Sequence, residues 1–348
     1  MKHGEAVTAF EQAFAEYVGA KYAIAMTNGT VTLEVALRAL GVMRGAHVAT
    51  TPLTMAATSI AILNVGAKPV YRDVHPETWL MNIDNHYIDV QVSLPVSLYG
   101  LHHSWSGLAG IIDDAAQTLR KHGDAEFTSY SFQRSKILNT GEGGMLVTDS
   151  DELATRARSI ASLGYDLSPT QSRIDAAAIK AAKAVRHVRY PSMNARMNDI
   201  TAEVGLARLA QAEELRRIRQ RCADLYRQAH RATDQFPAVP WITAQHVPDG
   251  WAHDYWCYAI ACDTPTQARE LQDRVVVNGG ERPYAAWRLT YDEPAFQHLT
   301  GSCPVAESLQ PRILQFQTND EDVAYRNTIA LAQSIIQMES PTRPRSST

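Results

Sequence analysis

The stretch SYSFQRSKILNTGEGGM, residues 129–145, runs from an apolar strand pattern into a glycine-rich turn with one lysine in its middle, Lys136. Burying an ammonium is costly unless it is paired or chemically used. Lys136 is therefore either a solvated loop charge or a nucleophile, and a lysine whose pKa is lowered by desolvation or a nearby cation forms a Schiff base with an aldehyde. IIDDAAQ, residues 111–117, puts Asp113 and Asp114 at another strand end. A carboxylate there holds a cationic ring nitrogen or a metal, or caps a helix; no histidine or acid stands beside it at metal-ligand spacing. TNGT, residues 27–30, joins a strand to a helix start. It offers free backbone N–H groups and the helix dipole to an anion, or it is a turn capped by Asn28 or Thr30. PSMNARMND, residues 191–199, adds Asn194 and Arg196 as polar contacts or plain loop residues. Each stretch alone has an ordinary structural reading. Together, an anion cradle, a ring-nitrogen carboxylate, a Schiff-base lysine and a glycine-rich turn describe a pyridoxal phosphate site.

Such residues need strand ends to hold them. Phe10, Phe14 and Tyr17 recur at the spacing of an amphipathic helix. YAIAM then predicts a short buried strand, and VTLEVALRALG a helix closed at Gly41. HVATT, PVYRDV, VQVSLPV, GIIDD, EFTSYSF and GMLVT predict further strands, and MAATSIAILNVG a helix. This alternation predicts an α/β domain with a largely parallel sheet, its faces covered by helices. Ligands sit at the carboxyl ends of such strands. From Asp199 one long helical stretch runs to His230. The pattern then changes to a strand at YWCYAIAC and helices at PTQARELQDRVVV and DEDVAYRNTIALAQSII, which predicts a smaller α+β domain. The expected division is residues 1–218 and 219–338, with the Pro-, Ser- and Arg-rich residues 339–348 as a disordered tail.

The chain's 348 residues suffice for two domains and a large core. A net charge of −4 carries no nucleic-acid or polyanion signal. Cys222, Cys257, Cys262 and Cys303 form no C-x-x-C pair and read as reduced core thiols of a cytoplasmic protein. No apolar run reaches the roughly 18 residues of a membrane span, and MKHGEAVTAF lacks the apolar core of a signal peptide.

TNGT, PLTMAAT, DDAAQ, SFQRSKILNTGEGG and NARM together resemble the sugar aminotransferases of the DegT/DnrJ/EryC1/StrS family. The resemblance runs from Phe10 to Ile336, and the lysine motif with its trailing G-E-G-G is its most specific part. It implies a fold-type I pyridoxal 5'-phosphate enzyme: a mostly parallel central sheet flanked by helices, with a smaller α+β C-terminal domain. It also implies the site. Lys136 holds the cofactor as a Schiff base and later moves the proton, while Asp114 pairs with the pyridinium nitrogen. Gln117 sits near the ring and its phenolic oxygen. Gly29, Thr30 and Ser131 bind the phosphate, and Asn194 reaches the phosphate of the neighbouring subunit, which makes the active unit a homodimer with composite sites. Met55 stands where the family has an aromatic residue stacked on the cofactor, and it would cover the ring through its polarisable sulfur. Gln133 replaces a common histidine, and SFQ resembles the branch acting on aminocyclitols, aminohydroxybenzoate precursors and some octulosonates rather than the typical nucleotide-sugar enzymes.

The reaction so implied moves an amino group from glutamate or glutamine to the keto group of a sugar, cyclitol or related polyol. Its partners are small molecules and its kinetics ping-pong. Two other readings keep the same pocket: a dehydratase, decarboxylase or isomerase using Lys136 and Asp114, or a non-catalytic regulatory protein that binds the cofactor.

Overall fold

The computed structural model describes residues 4–83, 90–102, 110–120, 123–165, 167–170, 192–230, 239–296, 298–299 and 301–339. The strands of the first half are β1 (Tyr22–Met26), β2 (His47–Thr50), β3 (Lys68–Tyr71), β4 (Val92–Leu94), β5 (Leu101–His102), β6 (Ile112–Asp114), β7 (Phe127–Ser131) and β8 (Gly144–Thr148). All but β5 form one layer. The ladders β3-β2-β4 and β1-β8-β7-β6 are joined by parallel bridges from Ser93 to Ile111 and from Val96 to Asp114. Only β8 runs against its neighbours; the other pairings are parallel.

The helices around this sheet are α1 (Glu5–Val18), α2 (Gly29–Ala39), α3 (Ala57–Asn64), α4 (Asp151–Ala161) and α5 (Asp199–Leu209). Side chains alternate between faces along a strand, and β1 shows it. Ile24 and Met26 join the core built with Leu33, Leu37, Ile62 and Ile160, while Ala23 and Ala25 join the opposite core with Phe10, Phe14 and Ala202. Phe14 meets Tyr130 edge-on, with ring centroids 5.0 Å apart. With both faces covered, the strands read as apolar runs, and YAIAM and GMLVT are such runs.

The second half contains α6 (Ala212–His230), β9 (Ile242–Ala244), β10 (Ala252–His253), β11 (Cys257–Cys262), α7 (Pro265–Val277), β12 (Tyr284–Ala285), α8 (Pro304–Leu309), β13 (Ile313–Gln317) and α9 (Glu321–Glu339). β12-β13-β11-β9 make an antiparallel sheet. The α7 start carries a reciprocal cap between Thr264 and Gln267, with Pro265 behind it.

The expected single helical stretch from Asp199 to His230 is two helices, α5 and α6. Neither glycine nor proline stands at the break. Packing sets it: α5 lies along α1, while α6 packs on α9. Leu215 of α6 still touches the core beneath the large sheet, whereas Ile218 and Cys222 belong to the core of the second half. A third core, with Trp79, Tyr99, Ala259 and Ile313, is shared between the halves, and the β5–β10 pair stitches them together. From residue 340 onward, the expected tail lies outside the described residues. Among those described, no helix is long and apolar enough to cross a membrane.

Candidate active site

The site forms at the carboxyl ends of β1, β6 and β7. Asn28 ends the turn after β1 and accepts the Val31 N–H at 2.9 Å, capping α2. Gly29 follows, and a Cβ there would lie 2.8 Å from Ser131 Cβ at the end of β7. A Cβ on Gly144, where the glycine-rich turn enters β8, would come within 2.6 Å of the Asn28 carbonyl. Both glycines let three backbone segments close on one another beside the first turn of α2, which begins at Gly29 and Thr30. Backbone N–H groups at such a helix N-terminus suit an anion such as phosphate.

Asp114 ends β6 and is buried. Its Oδ2 accepts from Thr58 Oγ1 of α3 at 2.8 Å, and its Oδ1 accepts the Ala116 N–H at 3.2 Å. Burial pushes its pKa up, against the pull of those donors and of the Lys136 charge. Asp113 points elsewhere and accepts from Ser97 Oγ at 3.1 Å.

Lys136 sits in the turn between β7 and β8. The Gln133–Gly141 bridge closes that turn, and the buried side chains of Ile137 and Leu138 anchor it. The Lys136 N–H bonds to the Gln133 carbonyl at 2.8 Å. Desolvation brings its ammonium down to about 8; Asp114 opposes that shift, and Arg219 assists it. From the second half Trp256 closes over it, the ammonium 5.0 Å from the ring centre, while the indole N–H donates to the Ser135 carbonyl at 2.9 Å. A cleft of about 590 Å³ reaches Lys136 from that side, lined also by Trp256, Trp287, Arg219 and Gln315.

The remaining expected site residues fall as follows. Gln117 is buried, its Oε1 taking the Tyr99 N–H. Met55 is 46% exposed at the entrance to α3, its sulfur accepting the Ala57 N–H at 3.1 Å. Asn194 is exposed and pairs through its backbone with Ser162; the next residue, Ala195, gives its carbonyl to Thr27 N–H beside the cradle. Gly29, Ser131, Asp114 and Lys136 thus converge within one subunit, while the Asn194 side chain faces outward. Thr58, Trp256 and Arg219 went unremarked in the sequence. Thr58 closes the quoted PLTMAAT motif and was the one that motif could have revealed. Arg219 lies in the run RRIRQR, which reads as an ordinary charged helix face.

A glycine-walled anion cradle, a buried carboxylate and a desolvated lysine within electrostatic reach of it fit pyridoxal phosphate. On this sheet order they define a fold-type I pyridoxal phosphate enzyme. The chain belongs to the DegT/DnrJ/EryC1/StrS aminotransferase family, which it matches over residues 1–322, and it is a pyridoxal phosphate-dependent aminotransferase. It is 28% identical to the GDP-perosamine synthase of Caulobacter vibrioides over 332 residues, 88% of this chain and 82% of that one. It is 33% identical to the UDP-2-acetamido-2-deoxy-3-oxo-D-glucuronate aminotransferase of Pseudomonas aeruginosa, across 64% of this chain and 63% of that one. Among solved structures, a DegT DnrJ EryC1 StrS aminotransferase from Brucella abortus superposes with a TM-score of 0.77 at 26% identity, covering 96% of this chain and 90% of that one.

Proposed function

We propose that this enzyme moves an amino group from glutamate or glutamine to the keto group of a sugar, cyclitol or related polyol, with Lys136 and Asp114 as its catalytic residues. The observation that carries the proposal is the Lys136 amine, desolvated and poised at about 8 beside the buried Asp114 carboxylate. Relatives named for perosamine and oxo-glucuronate chemistry support the substrate class.

When bound, pyridoxal phosphate supplies an electron-poor ring that accepts the electrons of the bond being broken. Asp114 holds the proton on the ring nitrogen, and Thr58 and the Ala116 N–H fix the carboxylate for it. Lys136 would hold the cofactor through its aldehyde, and its amine, when free, would serve as the acid–base group that moves a proton at the substrate. Gly29, Thr30 and Ser131 bind the phosphate. Gln117, its oxygen occupied by Tyr99, has its amide N–H₂ left to donate to the phenolic oxygen. Met55 covers one ring face.

The same reading has two subunits build each site, with the outward Asn194 reaching the partner's phosphate. It divides the chain at residues 218 and 219, inside α6, where the helix passes from one core to the other. Four free buried cysteines support a cytoplasmic setting.

The test is spectroscopic. The loaded protein is yellow, and L-glutamate or L-glutamine should bleach that band while the matching keto acid appears in stoichiometric amount. A loaded protein left unchanged by every amino donor would contradict an aminotransferase reading.

A further inference from the structure

Lys136 lies in a turn of the first half, yet the group that covers it comes from the second. Trp256 precedes β11, and its ring stands over the Lys136 ammonium, 5.0 Å from the ring centre. Among the described residues that ammonium makes no hydrogen bond and no ion pair, so the indole is its direct partner.

The ring is held in place from several sides. Its N–H donates to the Ser135 carbonyl at 2.9 Å, one residue before the lysine. It stacks on Trp287, with centroids 5.8 Å apart and planes 22° from parallel. Trp287 stacks in turn on the buried Tyr99, at 6.5 Å and 25°. The backbone behind the ring is fixed as well: the Trp256 carbonyl accepts from Arg219 Nη1 at 2.7 Å and from Thr318 Oγ1 at 3.1 Å. Trp256 packs against both the shared core and the core beneath the large sheet, so the lysine's place depends on how the two halves meet.

The face of an aromatic ring carries the negative part of its quadrupole, and indole attracts a cation more strongly than phenol or benzene rings do. Such a cover differs from an aliphatic one. Both exclude water, which disfavours the ammonium, but only the aromatic face gives part of that loss back. The other groups that act on this amine are Asp114 at the end of β6, Arg219 of α6 and Cys257 of β11. Burial pushes the Cys257 thiol up, which keeps it neutral. Arg134 of the lysine's own turn and Arg208 of α5 line the same cleft.

We propose that Trp256 is the positioning residue of Lys136: its ring face holds the ammonium in one place in the cleft and stabilises it whenever the amine takes up a proton. The inference rests on the aminotransferase reading and deepens it, since it gives the acid–base group of the first half a partner in the second.

The test uses full-length protein stripped of cofactor and given pyridoxal phosphate over a range of pH, with borohydride trapping and peptide mapping at each point. Wild type should label Lys136 with a midpoint at about 8. Trp256→Leu keeps an apolar cover and removes the quadrupole, so the midpoint should fall by about 0.5–1 pH unit. Trp256→Phe keeps an aromatic face and should recover most of that fall. Comparison between variants cancels the cofactor's own titration, and a mere loss of stability would not separate leucine from phenylalanine in this way. Should Trp256→Leu fail to fold, wild-type protein made with fluorinated tryptophans still decides. Fluorine withdraws negative charge from the ring face with little change of shape, so the midpoint should fall stepwise with fluorine number. A midpoint unmoved by Trp256→Leu or by fluorination, or lowered equally in the leucine and phenylalanine variants, would overturn the proposal. No label on Lys136 in wild type would overturn the aminotransferase reading along with it, whereas label on Lys136 with an unmoved midpoint overturns this inference alone.

Discussion

Lys136 is useful because its setting is unfavourable to its charge. At about 8, its amine is largely free only above that pH, where an exposed lysine still remains protonated. Capture of the cofactor aldehyde needs the free amine. In cofactor-free protein given free cofactor, borohydride-trapped label at Lys136 should therefore rise with pH, with its midpoint at about 8 and its plateau above that. Asp114 holds that pKa up, so Asp114→Asn should move the plateau to lower pH even as turnover falls; a plateau that stays put would show that the carboxylate does not act on the lysine. Lys136→Ala should retain the cofactor without a covalent bond and lose about a thousand-fold or more in turnover, the scale of a lost acid–base group. Asp113 provides the contrast. It accepts from Ser97 Oγ, and Asp113→Asn should cost about 1–3 kcal/mol of stability in chemical denaturation, while catalysis per folded molecule changes far less than in Asp114→Asn.

At the scale of elements, one buried carboxylate adds to the shared core and the β5–β10 pair in fastening the two halves. Asp254, just after β10, is buried. It accepts from Thr118 Oγ1 at 2.7 Å and Leu119 N–H at 2.9 Å, and it pairs with Arg120 and Arg216. The two arginines and these donors hold its pKa low despite burial. Asp254→Ala strips four partners at once and should lower unfolding free energy by about 3 kcal/mol, since both arginines keep some solvent. A loss under about 1 kcal/mol would show that the pair β5–β10 holds without it. Much of this scaffold was legible in the sequence. GMLVT and PTQARELQDRVVV form a strand and a helix over the same residues that their patterns marked, because burial and capping there are local and complete. β13 was not legible. Its sequence, ILQFQ, sets Gln315 in a strand interior, and that polar residue is buried and satisfied across the ladder, Nε2 donating to the Ala285 carbonyl at 3.2 Å. The break between α5 and α6 escaped for a similar reason, because it is imposed by partners distant in the chain.

The whole molecule raises the question of what covers α5. Ile200 is 77% exposed and Val204 41%, on the helix that follows Asn194. If a second subunit packs there and each Asn194 serves the partner's site, inactive Lys136→Ala and inactive Asn194→Asp chains should complement each other. Refolded together, a mixed dimer has one site with both residues wild-type. That site should restore up to about half of the activity of a wild-type site pair in those dimers, an estimate from two sites per dimer with one intact. Mixed dimers that form, as shown by tags of two sizes, yet stay inactive would place Asn194 in its own subunit's chemistry or outside the site.

The most direct measurement of the central claim is chemical. Loaded wild-type protein is reduced with borohydride, digested, and mapped by mass. One cofactor adduct per chain is expected, on Lys136 in the peptide that carries the SFQRSKILNTGEGG motif, and none there when L-glutamate has first bleached the enzyme. An adduct on another lysine, or an unlabelled Lys136 in a yellow protein, would contradict it.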